Sequence, residues 1–184
     1  INSCACSRAS EALLLLHGLN LLKSSRAHGR IARVCHNGAV ANQKESMRPA
    51  VIVLAAGSGT RFGHSTNKVW LPLSGRRIIS RSLTIATKGF DKCRAILVIN
   101  PDDETLARQV IAREIPDIDV EIVYGGKTRH ESEYNAIKHL EADIHKGAVN
   151  VILIHDGARP LATSALFRTI AETAFEHGGA IPTI

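Results

Sequence analysis

The sequence predicts an α/β fold, a parallel sheet covered by helices on both faces. Two observations carry this. Short apolar runs alternate with helix-patterned stretches from residue 51 to residue 177, and each stretch is closed by glycine or proline. Such a rhythm implies right-handed strand–helix–strand crossovers and therefore a parallel sheet. The first apolar run also stops abruptly at a glycine-rich loop, the place where open parallel sheets take their ligands.

Val51–Ala55 is a continuous apolar run suited to a central strand. Arg77–Lys88 sets Ile78, Ile79, Ser82, Leu83, Ile85 and Ala86 in a helical stripe that Gly89 closes. Ala95–Asn100 is a second strand. Pro101-Asp102-Asp103 then opens a helix whose free N–H groups an aspartate can cap. Leu106, Ala107, Val110 and Ile111 form its apolar face, and Pro116 ends it. Val120–Tyr124 is the third strand. Glu131–Lys146 carries Ala136, Ile137, Leu140 and Ile144 at helical spacing and stops at Gly147. Val151–His155 is the fourth strand, and Thr163–His177 is a helix closed by Gly178-Gly179.

Composition narrows the function. The chain has 184 residues, 45% hydrophobic and 22% charged, which suits one soluble domain with a substantial core. Its net charge of +6 is uneven. Residues 1–46 hold six basic and two acidic residues, and residues 47–184 hold seventeen and fifteen. The body is nearly neutral and aromatics make up only 4%, so nucleic acid is not an expected partner. No run approaches the roughly 18 apolar residues of a membrane span. Cys4, Cys6 and Cys35 precede the body, Cys93 alone lies within it, and no C-x-x-C pair suggests zinc or redox chemistry. The body reads as a reduced intracellular enzyme, cytoplasmic unless its leader is an organellar transit peptide.

Residues 1–46 look foreign to the domain. Met47 is the only methionine and stands four residues before the first strand, as an initiator would. The leader is then upstream sequence read in frame. A Ser/Arg-containing, acid-poor transit peptide is the second reading, and a signal h-region at Ala12–Leu22 the third. Residues 29–50 carry no sustained periodicity and are expected to be disordered. At the other end, residues 178–184 read as a turn entering a strand, so the domain 47–184 is expected to be incomplete.

Three segments carry chemistry. The first is 51–68, VIVLAAGSGTRFGHSTNK. Gly57, Gly59 and Gly63 lack a Cβ that would hold an anion away from backbone N–H groups. Arg61 and Lys68 can bring positive charge to a phosphate. The spacing is not that of a Walker A loop, because Phe62 and His64 occupy the decisive slots. It is G-x-G-x-x-x-G rather than the dinucleotide G-x-G-x-x-G, and residues 71–81 supply no ribose-binding carboxylate. Triphosphate chemistry is the remaining functional reading, set against an ordinary glycine-rich turn. The second segment, VILIHDGARP at 151–160, ends a strand in Asp156. That carboxylate can ligate Mg²⁺ or cap the turn, and Arg159 can hold a phosphate or pair with Asp156. His155 alternates with Val151 and Leu153 as a packed histidine would. In the third, GGKTRHES at 125–132, the Ser132 hydroxyl can meet a base edge or cap a helix. If the first and fourth strands are neighbours, the glycine loop and Asp156 meet at one edge.

Together AAGSGTR…NK…LPL, GGKTRHES and IHDGARP closely resemble the 2-C-methyl-D-erythritol 4-phosphate cytidylyltransferase family, from Met47 to Ile184. The resemblance implies a Rossmann-like nucleotidyltransferase fold, truncated at its C-terminus. It implies transfer of a cytidylyl group from CTP to 2-C-methyl-D-erythritol 4-phosphate, with release of pyrophosphate, in non-mevalonate isoprenoid synthesis. Ala55, Ala56, Gly57, Ser58 and Gly59 would wrap the CTP phosphates. Arg61 and Lys68 would be catalytic. Gly126, Arg129 and Ser132 would hold the cytidine end, Gly157 and Arg159 would shape the pocket, and Asp156 would place Mg²⁺. The family's usual proline before the lysine is Asn67 here, which implies a less rigid loop. In the family, the acceptor site, a further lysine and the arm of a homodimer all follow the position of Ile184. Two alternatives stand beside this reading: ribitol 5-phosphate or another sugar phosphate as acceptor, and an inactive nucleotide-binding fragment.

Overall fold

The computed structural model describes residues 46–57 and 67–183, all within the compact unit Glu45–Ile184. The expectations for residues 1–45 lie outside the described residues; the disorder expected as far as residue 50 fails at its end, because the first strand begins at Pro49 and Ala50 is fully buried within its sheet.

Strand β1 is Pro49–Leu54, followed after the loop by a single 3₁₀ turn at Lys68–Trp70. A short hairpin comes next, β2 (Pro72–Leu73) and β3 (Arg76–Arg77), leading into helix α1 (Ile78–Lys88). Ser74 and Gly75 take φ of 49° and 83° in its turn, the two positive φ values that a tight hairpin demands. Then follow β4 (Arg94–Ile99), a 3₁₀ turn (Pro101–Asp103) and α2 (Glu104–Glu114). The chain goes on through β5 (Val120–Tyr124), α3 (Arg129–His139), α4 (Glu141–His145), β6 (Val151–Asp156) and α5 (Ser164–His177).

The four long strands pair in the order β5-β4-β1-β6, every neighbour parallel. The chain therefore winds outward from β1 through β4 to β5, then returns to place β6 on the other side of β1. Along β1 the side chains alternate between two cores. Val51 and Val53 pack with Leu83 of α1, Val110 of α2 and Phe167 of α5. Ala50 and Ile52 pack with Ala136 of α3, Leu140 and Val149. Both faces are covered, as a run without polar interruptions requires.

Several boundaries differ from the sequence reading, each for a local reason. The helix expected over Glu131–Lys146 begins earlier, at Arg129, because Thr128 caps it: the Thr128 Oγ1 accepts from the Glu131 N–H at 3.1 Å. It also breaks at Leu140, whose N–H reaches the Ile137 carbonyl (3.0 Å) better than that of Ala136 (3.3 Å), tightening the turn before α4. Asn100 caps the 3₁₀ turn, accepting from Asp102 N–H at 3.1 Å, while Asp103 at the start of α2 makes no side-chain cap bond. Gly178 closes α5 in the left-handed conformation, with φ of 85°. Residues 179–183 then form no strand, and among the described residues β6 pairs only with β1.

The hairpin is pinned to the end of α2. The Glu114 carboxylate accepts from Arg77 N–H (2.8 Å) and from the Arg77 guanidinium (2.6 Å), and Arg76 donates to the Glu114 carbonyl. Burial by itself would raise the Glu114 carboxyl pKa, but the Arg77 bonds and charge outweigh it and hold the group below its ordinary value. A depressed folded-state pKa adds stability above the unfolded pKa and loses it as pH falls through the folded one. Glu114→Ala is expected to cost about 2–4 kcal/mol in denaturant melts at pH 7, because it leaves a half-buried guanidinium without its partner. The deficit should start to shrink as pH falls below the ordinary glutamate pKa of about 4.3 and vanish as pH falls through the lower pKa of the folded protein. A deficit that stays constant with pH would contradict this account of Glu114.

Candidate functional site

The carboxyl ends of β1 and β6 stand side by side, with Leu54 in register with Asp156. This is the switch point of the sheet, where strand order reverses and a crevice opens beyond the strand tips. Backbone bonds lace the tips together. Ala55 N–H donates to Val98 O (2.7 Å), Gly157 N–H to Leu54 O (2.9 Å) and Gly125 N–H to Ile99 O (2.8 Å). The three chemical segments read from the sequence therefore start from one edge.

Glycine is required here by close packing. A Cβ on Gly125 would stand 2.4 Å from Ala56 Cβ and 2.8 Å from Ser132 Oγ. One on Gly126 would stand 2.3 Å from Glu131 Cβ, and one on Gly157 2.9 Å from Leu54 O. Gly57, by contrast, is exposed and faces open space, with no atom within 4 Å of its would-be Cβ. A cleft of about 310 Å³ at the same edge is lined by Ala56, Asn100, Pro101, Gly125, Gly126 and Lys127, at the lower end of small-molecule site sizes. A larger hollow of about 600 Å³ opens at the opposite end of the strands, among Lys88, Asp91, Lys92, Cys93 and Asp117, away from every chemical motif.

Asp156 is the electrostatic centre. Its Oδ1 accepts from the Arg129 guanidinium at 2.5 Å, and its Oδ2 lies 3.0 Å from Arg159 Nε. Arg129 is itself held from behind, Nε donating to Glu133 Oε1 at 2.8 Å, and Glu133 is only 8% exposed. Burial would raise the Asp156 pKa, but the Arg129 bond and the Arg129 and Arg159 charges prevail and keep it below the ordinary range. The group is therefore ionised at neutral pH. Among the described residues no cluster of three or more His, Cys, Asp or Glu could cage a metal. One ionised carboxylate with acceptor positions to spare nevertheless fits the way Mg²⁺ is held beside phosphates, by one or two carboxylates plus the substrate's own oxygens.

The 125–132 loop is braced from within. Ser132 is 5% exposed, and its hydroxyl accepts from Gly126 N–H (3.1 Å) while donating to Thr128 O (2.9 Å). It does not cap α3. It fixes the loop backbone at Gly126 and Thr128 instead. Glu131 completes the bracing by accepting from Lys127 N–H at 2.6 Å. On the other flank His155 is a packed ring: it meets Phe167 edge-on at 4.9 Å, and its Nε2 donates to Arg159 O at 3.1 Å. Burial lowers its pKa, which keeps the ring neutral.

Lys68 opens the 3₁₀ turn and is exposed, while Val69 and Trp70 behind it are 3% and 5% exposed. Ala55, Ala56 and Gly57 stand at the end of β1 as expected. Ser58, Gly59 and Arg61 lie outside the described residues. Asn67 does not merely omit a proline: its Nδ2 donates to Ala55 O at 2.6 Å and its Oδ1 accepts from Val69 N–H at 3.3 Å. A proline has no side-chain group to make either bond. Sequence reasoning missed Glu133, Glu131 and this use of Asn67. The Thr128-x-x-Glu131 spacing is a capping signal in plain view, and Arg129–Glu133 is an i,i+4 pair.

The family profile described as 2-C-methyl-D-erythritol 4-phosphate cytidylyltransferase matches residues 50–184. A curated protein of that name from Cereibacter sphaeroides is 39% identical over 139 residues, 74% of this chain and 59% of its own length. One from Geobacillus kaustophilus is 33% identical over 138 residues, 75% of this chain and 58% of its own length. The chain thus spans somewhat more than half the length of these relatives. Among solved structures, 4-diphosphocytidyl-2C-methyl-D-erythritol synthase from Anaerococcus prevotii is 27% identical. It superposes with a TM-score of 0.54 over 69% of this chain and 51% of its own. A second synthase structure of that name, 22% identical, shares the fold with a TM-score of 0.57 over 72% of this chain and 56% of its own.

The packing at the strand tips has a measurable consequence. Gly125→Ala is expected to destabilise by about 1–3 kcal/mol, since the added methyl must push Ala56 and Ser132 apart. Gly57→Ala should stay within about 0.5 kcal/mol of the parent in the same denaturant series. Equal effects at the two positions would show that the close approach at Gly125 is not real.

Proposed function

We propose a function from the premise that this chain belongs to the 2-C-methyl-D-erythritol 4-phosphate cytidylyltransferase family. The whole protein transfers the cytidylyl group of CTP to 2-C-methyl-D-erythritol 4-phosphate and releases pyrophosphate. The observation that carries this reading is the convergence, where Leu54 pairs with Asp156, of the Ala55–Gly57 segment and an ionised carboxylate held by two arginines.

A phosphate oxygen of the acceptor attacks the α-phosphorus of CTP in line. A new P–O bond forms, the bond to the β-phosphate oxygen breaks, and pyrophosphate leaves with that electron pair. No general base is needed, because the attacking phosphate is already an anion. Charge grows on the non-bridging oxygens of the α-phosphate in the transition state. Arg61 and Lys68 accelerate the step insofar as they meet that added charge better than they meet bound CTP. The backbone of Ala55 to Gly59 cradles the phosphates. Gly126, Arg129 and Ser132 set the cytidine end, the serine by fixing the loop. Gly157 lets the Asp156 turn pass close to β1, and Arg159 borders the pocket. Asp156 would hold a Mg²⁺ ion, which supplies countercharge to the triphosphate when bound. Triphosphate oxygens compete for the guanidiniums of Arg129 and Arg159, and that competition frees the carboxylate. The whole protein is read as a cytoplasmic homodimer. Among the described residues no helix is long and apolar enough to cross a membrane.

Incubation of the whole protein with CTP and Mg²⁺ plus either 2-C-methyl-D-erythritol 4-phosphate or ribitol 5-phosphate should release pyrophosphate with the first acceptor. Release with neither would contradict the reading, and release with ribitol 5-phosphate alone would move it to another acceptor. Lys68→Ala should lower kcat by about 10²–10³, the usual cost of one aimed donor. Turnover unchanged by that substitution would remove Lys68 from the mechanism.

A further inference from the structure

Lys68 sits in a turn whose neighbours are all anchored. Val69 and Trp70 are buried, and the Trp70 indole N–H donates to Asp103 Oδ2 at 3.0 Å. The turn is closed by Trp70 N–H on Asn67 O (3.0 Å) and Leu71 N–H on Lys68 O (3.1 Å). These bonds fix its shape. What ties it to the phosphate cradle is the Asn67 carboxamide. Its Nδ2 donates to the carbonyl of Ala55, a residue 2% exposed and just past the end of β1. Its Oδ1 accepts from Val69 N–H inside the turn. Ala55 is fixed in its own right by its N–H on Val98 O. A continuous bonded path therefore runs from the sheet through Ala55 and Asn67 to the backbone on either side of Lys68. A buried carbonyl left without a donor is costly, so both ends of the path have reason to keep it.

We infer that Asn67 is a positioning residue: its carboxamide couples the Ala55 carbonyl at the cradle to the Lys68–Trp70 turn and so sets where the Lys68 ammonium stands. Proline at this position could match the backbone, since Asn67 has φ of −61°, but it could not make the coupling. This rests on the reading of Lys68 as the donor to the α-phosphate.

The test uses the whole protein, Lys68→Ala, Asn67→Ala, Asn67→Asp and the double variants with Lys68→Ala. Asn67→Asp keeps the acceptor for Val69 N–H and loses the donor to Ala55. Both Asn67 variants are expected to lower kcat by about 10- to 100-fold through misplacement of the ammonium, with KM for CTP within about twofold. In the Lys68→Ala background the same changes should cost less than about twofold more, because the group they position is gone. A merely structural role would give losses that multiply in the double variants, and that result overturns the inference. So does a kcat within about twofold of the parent for Asn67→Asp while Lys68→Ala is impaired. If Asn67→Ala does not fold, the nearly isosteric Asn67→Asp pair decides alone. Full turnover by Lys68→Ala would instead bring down the reading beneath it.

Discussion

The parallel pairing of β1 with β6 is the constraint on which the site depends. Leu54 faces Asp156 across that pair, and Gly157 N–H closes on Leu54 O at 2.9 Å. Residues about a hundred positions apart in the chain are thereby brought to one edge. The pairing holds because β1 is apolar on both faces, with Ala50 to Val53 fully buried, and so can occupy the middle of the sheet. A central strand needs neighbours on both sides, and the chain supplies β4 on one and β6 on the other. The crevice at the switch point is a consequence of that topology.

Once the strand tips are adjacent, electrostatics organises what stands on them. Asp156 is flanked by two guanidiniums, and Glu133 anchors Arg129 from its buried side. The two carboxylates and two guanidiniums balance in formal charge, so the cluster can rest without a ligand. A polyanion changes that balance by competing for the arginines, and a cation by competing for Asp156. A triphosphate accompanied by a divalent cation would do both at once, and each exchange would compensate the other. Packing sets the geometry in which this happens: Gly125, Gly126 and Gly157 are each approached by atoms that leave no room for a side chain.

Much of this was legible in the sequence because burial leaves a pattern. The apolar runs at 51–55, 95–100 and 151–155 became β1, β4 and β6, since a strand covered on both faces can tolerate few polar residues. The glycine stops and the Asp156 strand tip were readable for the same local reason. The break at Leu140 was not, because Leu140 and Ile144 keep helical spacing across it and only the hydrogen-bond choice of one N–H divides α3 from α4. The Ser74-Gly75 turn does carry a local signal, a polar residue followed by glycine, but its two-residue arms are too short to show alternation. Ion pairs such as Arg77–Glu114 join residues 37 positions apart and have no one-dimensional signature. Asn67 reads as a departure from a family's proline, and its two bonds emerge only when Ala55 and Val69 are placed beside it.

The most direct measurement is a crystal structure of the whole protein with CTP and Mg²⁺. The account places the triphosphate over the end of β1, against Ala55 to Gly57. The Asp156 carboxylate should then be turned to the cation, with the Lys68 ammonium within hydrogen-bond reach of the α-phosphate. A nucleotide bound elsewhere, or bound while Asp156 keeps both arginines and Lys68 stays remote from the phosphates, would contradict it.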